Sequence, residues 1–237
     1  MLRAHAAGTD NAARAAIVVH PETGAVLYEK NADERLGIAS TTKIMTALVV
    51  LEHCALEEPV EILPEYTAVE GSSMYLRAGE TYTVEELLYG LMLRSGNDAA
   101  VALALADSGS ISAFAMRMNE KAAVLGLKNT HYANPHGLDS EENYSTALDL
   151  ARLTRFALQN PDFAQLVSTK SVTIGDRVKV GSKSGLDKDV PDDEIRFGYP
   201  ALPGMQYHRS AAVFKRLPEL AQQVRALEKQ LAELTKK

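Results

Sequence analysis

Ser40 and Lys43 are the residues of this chain whose types and spacing could do chemistry together. They bound the tetrapeptide Ser40-Thr41-Thr42-Lys43, which runs directly into the apolar stretch of residues 44–51. A stretch of that length and composition predicts a buried helix beginning near Ser40. Residues three apart on a helix lie one above the other, so the Lys43 ammonium comes within reach of the Ser40 hydroxyl. A serine hydroxyl is a weak nucleophile until a base takes its proton, and a lysine desolvated by apolar neighbours can have its pKa lowered enough to be that base. Unpaired N–H groups at the helix N-terminus would stabilise negative charge developing nearby. The plain alternative is an N-cap serine followed by a solvent-facing lysine, because SxxK also recurs by chance.

A second group is Ser95-Gly96-Asn97, inside the polar break Arg94-Ser95-Gly96-Asn97-Asp98. Residues 87–93 and 99–105 on either side are apolar and helical in composition. A small polar break between two buried helices is where a site would be built, although Ser-Gly-Asn is also ordinary loop chemistry.

The elements that must position these groups follow from periodicity. Residues 15–20 and 25–30 read as two strands joined by a turn at Pro21-Glu22-Thr23-Gly24, and residues 57–63 as a loop with a short strand. Ile111, Phe114, Ala115, Met118, Ala122 and Leu125 recur at helical spacing and stop before Gly126, a C-cap residue. A further helix is predicted from Ser145 as N-cap through Leu148, Leu150, Leu153 and Phe156 to Asn160-Pro161. Early strands followed by buried helices predict an α+β domain, with helices packed on a mainly antiparallel sheet.

Composition narrows the function classes. Of the 237 residues 46% are hydrophobic and 24% charged, as in a globular protein, and a net charge of -6 without a basic stripe argues against a nucleic-acid partner. Cys54 is the only cysteine, which excludes an internal disulfide, and is expected to be a small core residue at the end of a helix. Residues 1–16 lack the continuous apolar core of a signal peptide, and no stretch is long and apolar enough to span a bilayer. His5, His20, His53, His131, His136 and His208 show no ligand spacing, so neither a metal nor a cofactor is expected.

After about residue 175 the composition changes, with Gly181, Gly185, Pro191, Gly198, Pro200, Pro203 and Gly204 crowded together. Val213, Leu217, Leu220, Val224, Leu227, Leu231 and Leu234 then alternate at spacings of four and three, a heptad seam. Such a seam either packs on the body of the protein or joins a second copy, and its regularity favours a homo-oligomer through residues 213–234.

With both motifs in view, residues 38–48 resemble the active-site helix of D-alanyl-D-alanine carboxypeptidases, the low-molecular-mass penicillin-binding proteins of the serine peptidase class. Residues 91–100 resemble their SxN motif, and Asn134-Pro135-His136-Gly137-Leu138 and Tyr144-Ser145-Thr146-Ala147 match further family segments. The resemblance covers about residues 10–174 and implies a serine β-lactamase/DD-peptidase-like fold. By it, Ser40 would attack the carbonyl between the two terminal D-alanines of a peptidoglycan stem peptide, with Lys43 as base. Ser95 would relay a proton towards the leaving amine, and Asn97 would hydrogen-bond the substrate backbone. β-Lactams would acylate the same serine, and the location would be the cell envelope outside the cytoplasm.

The family's third motif, Lys-Thr-Gly, lies on a strand that binds the substrate carboxylate. Its candidate here is Lys183-Ser184-Gly185, in which serine keeps the hydroxyl. It closely follows the strand-like residues 170–174, and no long hydrophobic strand pair comes after it, so the site-lining strand is expected to be missing and activity stays open. Residues 178–237, with Phe197-Gly198-Tyr199-Pro200-Ala201 and Tyr207-His208-Arg209-Ser210, resemble instead the C-terminus of UDP-3-O-acylglucosamine N-acyltransferases, trimeric enzymes of lipid A synthesis. The organisation expected is a truncated peptidase-like domain over 1–177 and an acyltransferase-like tail over 178–237. Two readings result: a serine-type D-Ala-D-Ala carboxypeptidase, or a catalytically inactive oligomeric scaffold or chimera carrying that tail.

Overall fold

The helix that follows Ser40 is apolar on every side, and a helix of that kind must be surrounded. In the computed structural model it is α1 (Lys43–His53), with Met45, Thr46, Ala47, Leu48, Val49 and Val50 all buried. Around it pack α2 (Val84–Arg94), α3 (Asn97–Ser108), α4 (Ile111–Val124), α5 (Ala147–Ala157) and α6 (Pro161–Ser168). The structure describes residues 12–138 and 140–174, together with the backbone of residues 178–181, 195–197 and 202–203. Lys183, Ser184, Gly185, His208 and the heptad positions of residues 213–234 lie outside the described residues.

Local chemistry sets the helix ends. Thr83 and Glu86 form a reciprocal capping box at the start of α2. Ser110 caps α4 by accepting from Ala113 N–H, and Gly126 leaves the helix with φ +67°. Four alanines of α3, at positions 99, 100, 102 and 104, are buried and let α3 approach its neighbours closely. The expected α4 stripe is core: Phe114, Ala115, Met118 and Ala122 are buried. Cys54 lies at the C-cap of α1, half-buried against the core, and burial together with Asp107 pushes its thiol up to about 11.

Two expectations are corrected. Ser145 does not cap the next helix; it is buried in a short strand with its Oγ 2.7 Å from Thr130 Oγ1, and Thr146 accepts from Asp149 N–H instead. Asn160-Pro161 does not close the helical region. It opens α6, with Asn160 Oδ1 accepting from Asp162 N–H at 2.9 Å and Pro161 at the first helical position. Phe156 faces out of α5 beneath the Lys121 ammonium, 4.8 Å from its ring centre, while Leu153 points inward.

The described strands form four small sheets rather than one backing sheet. β1 (Ala16–Val19) and β2 (Val26–Lys30) make the expected hairpin, closed by His20 and Ala25 and packed on α5. β3 (Leu36–Gly37) pairs with β6 (Tyr144–Ser145), and β4 (Pro59–Glu61) with β5 (Thr81–Thr83). β7 (Ser171–Ile174) pairs antiparallel with β8 (Val178–Gly181), β8 parallel with β9 (Ile195–Phe197), and β9 antiparallel with β10 (Leu202–Pro203). Helices with small, mainly antiparallel sheets agree with the α+β class. The β3–β6 pair matters most for the site, because it brings residues 37–39 beside the segment before residue 144. Among the described residues no single helix is long and apolar enough to cross a membrane.

Candidate active site

Ser40 does not sit in the first turn of an α-helix. It lies in a 3-10 turn, Ala39–Thr42, that feeds into α1 at Lys43. Side chains three apart eclipse in a 3-10 turn, so this geometry stacks Lys43 over Ser40 more directly than an α-helix would. Lys43 Nζ lies 3.2 Å from Ser40 Oγ. The lysine is 2% exposed, whereas Ser40 is open to solvent.

Two further acceptors hold the ammonium. Lys43 Nζ donates to Asn97 Oδ1 at 2.8 Å and to the His136 carbonyl at 2.7 Å. A neutral amine has two N–H bonds, and these two shorter contacts can keep both. The lone pair is then left facing Ser40. Burial lowers the Lys43 pKa to about 8, and the Asp98 carboxylate resists that fall.

On the other side of Ser40, Ser95 Oγ donates to Ser40 Oγ at 2.9 Å. Ser95 is the C-cap of α2 in left-handed backbone, φ +56° and ψ +33°, and Gly96 N–H closes the turn on the Gly90 carbonyl. A left-handed non-glycine residue costs of order 1 kcal/mol or more, and here the surrounding turn holds it so that its hydroxyl meets Ser40. Only Ser95 and Gly96 separate α2 from α3, a tighter break than residues 94–98.

Asn97 opens α3 and is 4% exposed. Its Nδ2 donates to the Glu70 carbonyl at 2.6 Å and its backbone N–H to the Ser72 carbonyl at 2.7 Å. Asn97 thus sets its side-chain oxygen on Lys43 and one amide proton on the 70–76 loop.

Some contributors were not singled out by residue type. The His136 carbonyl reaches Lys43, and Thr46 Oγ1 donates to the Pro135 carbonyl at 2.6 Å. Asn134 Oδ1 accepts from Gly137 N–H at 2.7 Å and shapes this loop. Gly137 has φ +87°, and a Cβ there would lie 1.8 Å from the Ala39 carbonyl oxygen. The Gly in Asn134-Pro135-His136-Gly137 was the signal for a close backbone approach. Burial, followed by the Lys43 charge, lowers the His136 pKa to about 4, so this imidazole is neutral near pH 7. Beside Ser40 a cleft of about 410 Å3 opens between residues 37–39 and Gly137, Leu138 and Glu141. Among the described residues no group of three or more His, Cys, Asp or Glu is placed to hold a metal ion.

A hydroxyl flanked by a desolvated lysine and a second hydroxyl is suited to nucleophilic attack with proton relay. A sequence model of D-alanyl-D-alanine carboxypeptidase matches residues 2–186. The chain belongs to this family. It is 41% identical over 162 residues to D-alanyl-D-alanine carboxypeptidase DacF of Bacillus subtilis, an alignment covering 66% of this chain and 42% of that protein. It is 42% identical over 177 residues to a D-alanyl-D-alanine carboxypeptidase of a Streptomyces species, covering 70% of this chain and 61% of that protein. The solved D-alanyl-D-alanine carboxypeptidase of Mycobacterium tuberculosis is similar with a TM-score of 0.71 and 33% identity, over 76% of this chain and 72% of that one. The chain therefore spans about half the length of the first two relatives, 42% and 61%. As a D-alanyl-D-alanine carboxypeptidase family member it carries Ser40, Lys43, Ser95 and Asn97 in one cluster, from two segments more than fifty residues apart.

Proposed function

We propose that this chain is a serine-type D-Ala-D-Ala carboxypeptidase acting on peptidoglycan stem peptides through an acyl-enzyme. The observation that carries the reading is the buried Lys43 ammonium 3.2 Å from an exposed Ser40 hydroxyl that Ser95 meets from the opposite side. Ser40 Oγ attacks the carbonyl carbon of the terminal peptide bond as its proton passes to neutral Lys43 Nζ. The tetrahedral oxyanion collapses, the C–N bond breaks, and a proton relayed through Ser95 leaves with D-alanine. Water then hydrolyses the ester and restores Ser40. Ser40 N–H supplies one donor of the oxyanion hole. Lys183-Ser184-Gly185 binds the substrate carboxylate; the family match extends across these residues, and β8 ends at Gly181, just before them.

The test is incubation with a labelled β-lactam and with a peptide ending in D-Ala-D-Ala. Expected are one covalent adduct on Ser40, absent in Ser40→Ala, and release of D-alanine. Folded protein that forms no adduct overturns the reading. By family, the site of action is the cell envelope outside the cytoplasmic membrane.

A second reading concerns assembly. The heptad spacing of residues 213–234 and the acyltransferase-like sequence of residues 178–237 favour a tail that oligomerises, joined to the peptidase-like unit of residues 1–177 through the β7–β8 hairpin. In this reading the chain is an inactive scaffold or chimera if no adduct forms. A monomeric mass by light scattering removes the assembly.

A further inference from the structure

Asp98 is a buried carboxylate that the proposed chemistry leaves unused. It is 2% exposed, and burying an ionised carboxylate costs several kcal/mol unless its lone pairs are satisfied. Here they are: Oδ2 accepts from Ser73 Oγ at 2.6 Å and Leu76 N–H at 3.1 Å, and Oδ1 from Met74 N–H at 3.0 Å and Ala99 N–H at 2.9 Å. Only the last of these serves its own helix. The others fasten a loop.

That loop turns its remaining backbone groups to the same place. The Glu70 carbonyl takes Asn97 Nδ2, the Ser72 carbonyl takes Asn97 N–H, and the Ser73 carbonyl takes Arg94 Nη2 at 2.8 Å. Gly71 and Tyr75 adopt positive φ, +90° and +60°; glycine takes this conformation freely, whereas at Tyr75 it is strained and is held between the fastened residues 74 and 76. Because the Glu70 carbonyl holds Asn97 Nδ2, the amide can offer only its oxygen to Lys43. With the loop released, the amide is free to turn and present NH2 to the ammonium.

Resting on the carboxypeptidase reading, we propose that Asp98 is a positioning residue for the Ser40–Lys43 pair: its carboxylate pins residues 73–76 to the start of α3, and the pinned loop fixes Asn97 on Lys43. The charged or titratable groups around the pair are Asp98 from α3, His136 from the loop before β6, and Arg94 from α2, which faces Asp98. Asp98 raises the proton affinity of Lys43 against burial, so its removal moves the titration of the base to lower pH.

The experiment compares the full chain with Asp98→Asn and Ser73→Ala. Amide hydrogen exchange is read for the peptide covering residues 70–76, and the acylation rate by a fluorescent penicillin is followed from pH 5 to 10. Asp98→Asn is expected to exchange at least tenfold faster at Met74 and Leu76 and to acylate about tenfold or more slowly at its plateau. Its acid limb should shift to lower pH. Ser73→Ala keeps the charge, so faster exchange is expected with the limb unmoved. A merely structural role would lower rates with the folded fraction and leave both limbs alone. Folded Asp98→Asn with wild-type exchange, or with wild-type plateau and limb, overturns the proposal. Should Asp98→Asn fail to fold, Ser73→Ala with wild-type exchange and acylation does so. If the unaltered chain forms no adduct, the carboxypeptidase reading fails, while the exchange arm still decides whether Asp98 holds the loop.

Discussion

Lys43 is buried deeply enough that its charge is costly, yet its partners are all neutral oxygens apart from the more distant Asp98 carboxylate. That balance leaves the amine titrating within reach of physiological pH, where a general base is most useful. With a pKa of about 8, the fraction of neutral Lys43 falls about tenfold per pH unit below that value, so β-lactam acylation should rise from pH 6 to 8 and then level off. Stopped-flow acylation rates against pH check this. Lys43→Arg keeps a cation but cannot accept a proton, and it should lower acylation by at least a thousandfold, on the order of 4 kcal/mol. Gly137→Ala is predicted to be as damaging for a steric reason. The new Cβ would overlap the Ala39 carbonyl and force the 3-10 turn that carries Ser40 to shift, read as lost acylation by folded protein. Ser40, Lys43, Ser95 and Asn97 were legible because side-chain chemistry and motif spacing show in sequence. The His136 carbonyl was not, since every residue has one and only the fold says where it points.

At the scale of elements, the site hangs on ends rather than on middles: the start of α1, the end of α2 and the start of α3. Gly90, in the last turns of α2, shows how one helix position governs the loop opposite. A Cβ there would meet Met74 Sδ at 2.2 Å. Gly90→Ala should therefore push Met74 out of its packing and slow acylation more than it lowers the urea midpoint, whereas Thr83→Ala should do the reverse. Loss of the Thr83 cap costs about 1 kcal/mol and leaves the acylation rate of the folded fraction unchanged. Equilibrium unfolding and acylation measured on the same two variants separate packing at the site from stability remote from it. Helices α1 to α4 were readable because long apolar or periodic runs leave few alternatives. The short elements were not: Asn160-Pro161 signals an end and a beginning equally well, and a two-residue pair such as β3–β6 leaves no periodicity to read.

For the whole molecule, burying groups in neutral form couples the site to stability. The folded pKa of His136, about 4, lies below its ordinary 6.5, so between those values the unfolded chain binds more protons than the folded one. Stability should fall as pH drops from about 6.5 to 4, and His136→Gln should flatten that part of a plot of urea midpoint against pH. The same sign applies to Lys43 between about 8 and 10.5, where stability should rise as the buried amine loses its charge in the unfolded state later than in the folded one. The sequence by itself marked the candidate site and the family: a serine and a lysine three apart before an apolar run, and a second polar motif between two apolar helices. The tertiary structure decided how they are held. It replaced a helix start with a 3-10 turn, brought the 134–138 loop onto Lys43 and the 70–76 loop onto Asn97, and divided an expected sheet into four small ones. Those outcomes depend on backbone oxygens, left-handed turns and contacts between segments distant in sequence, and such features arise from packing rather than from the identity of any neighbouring residue.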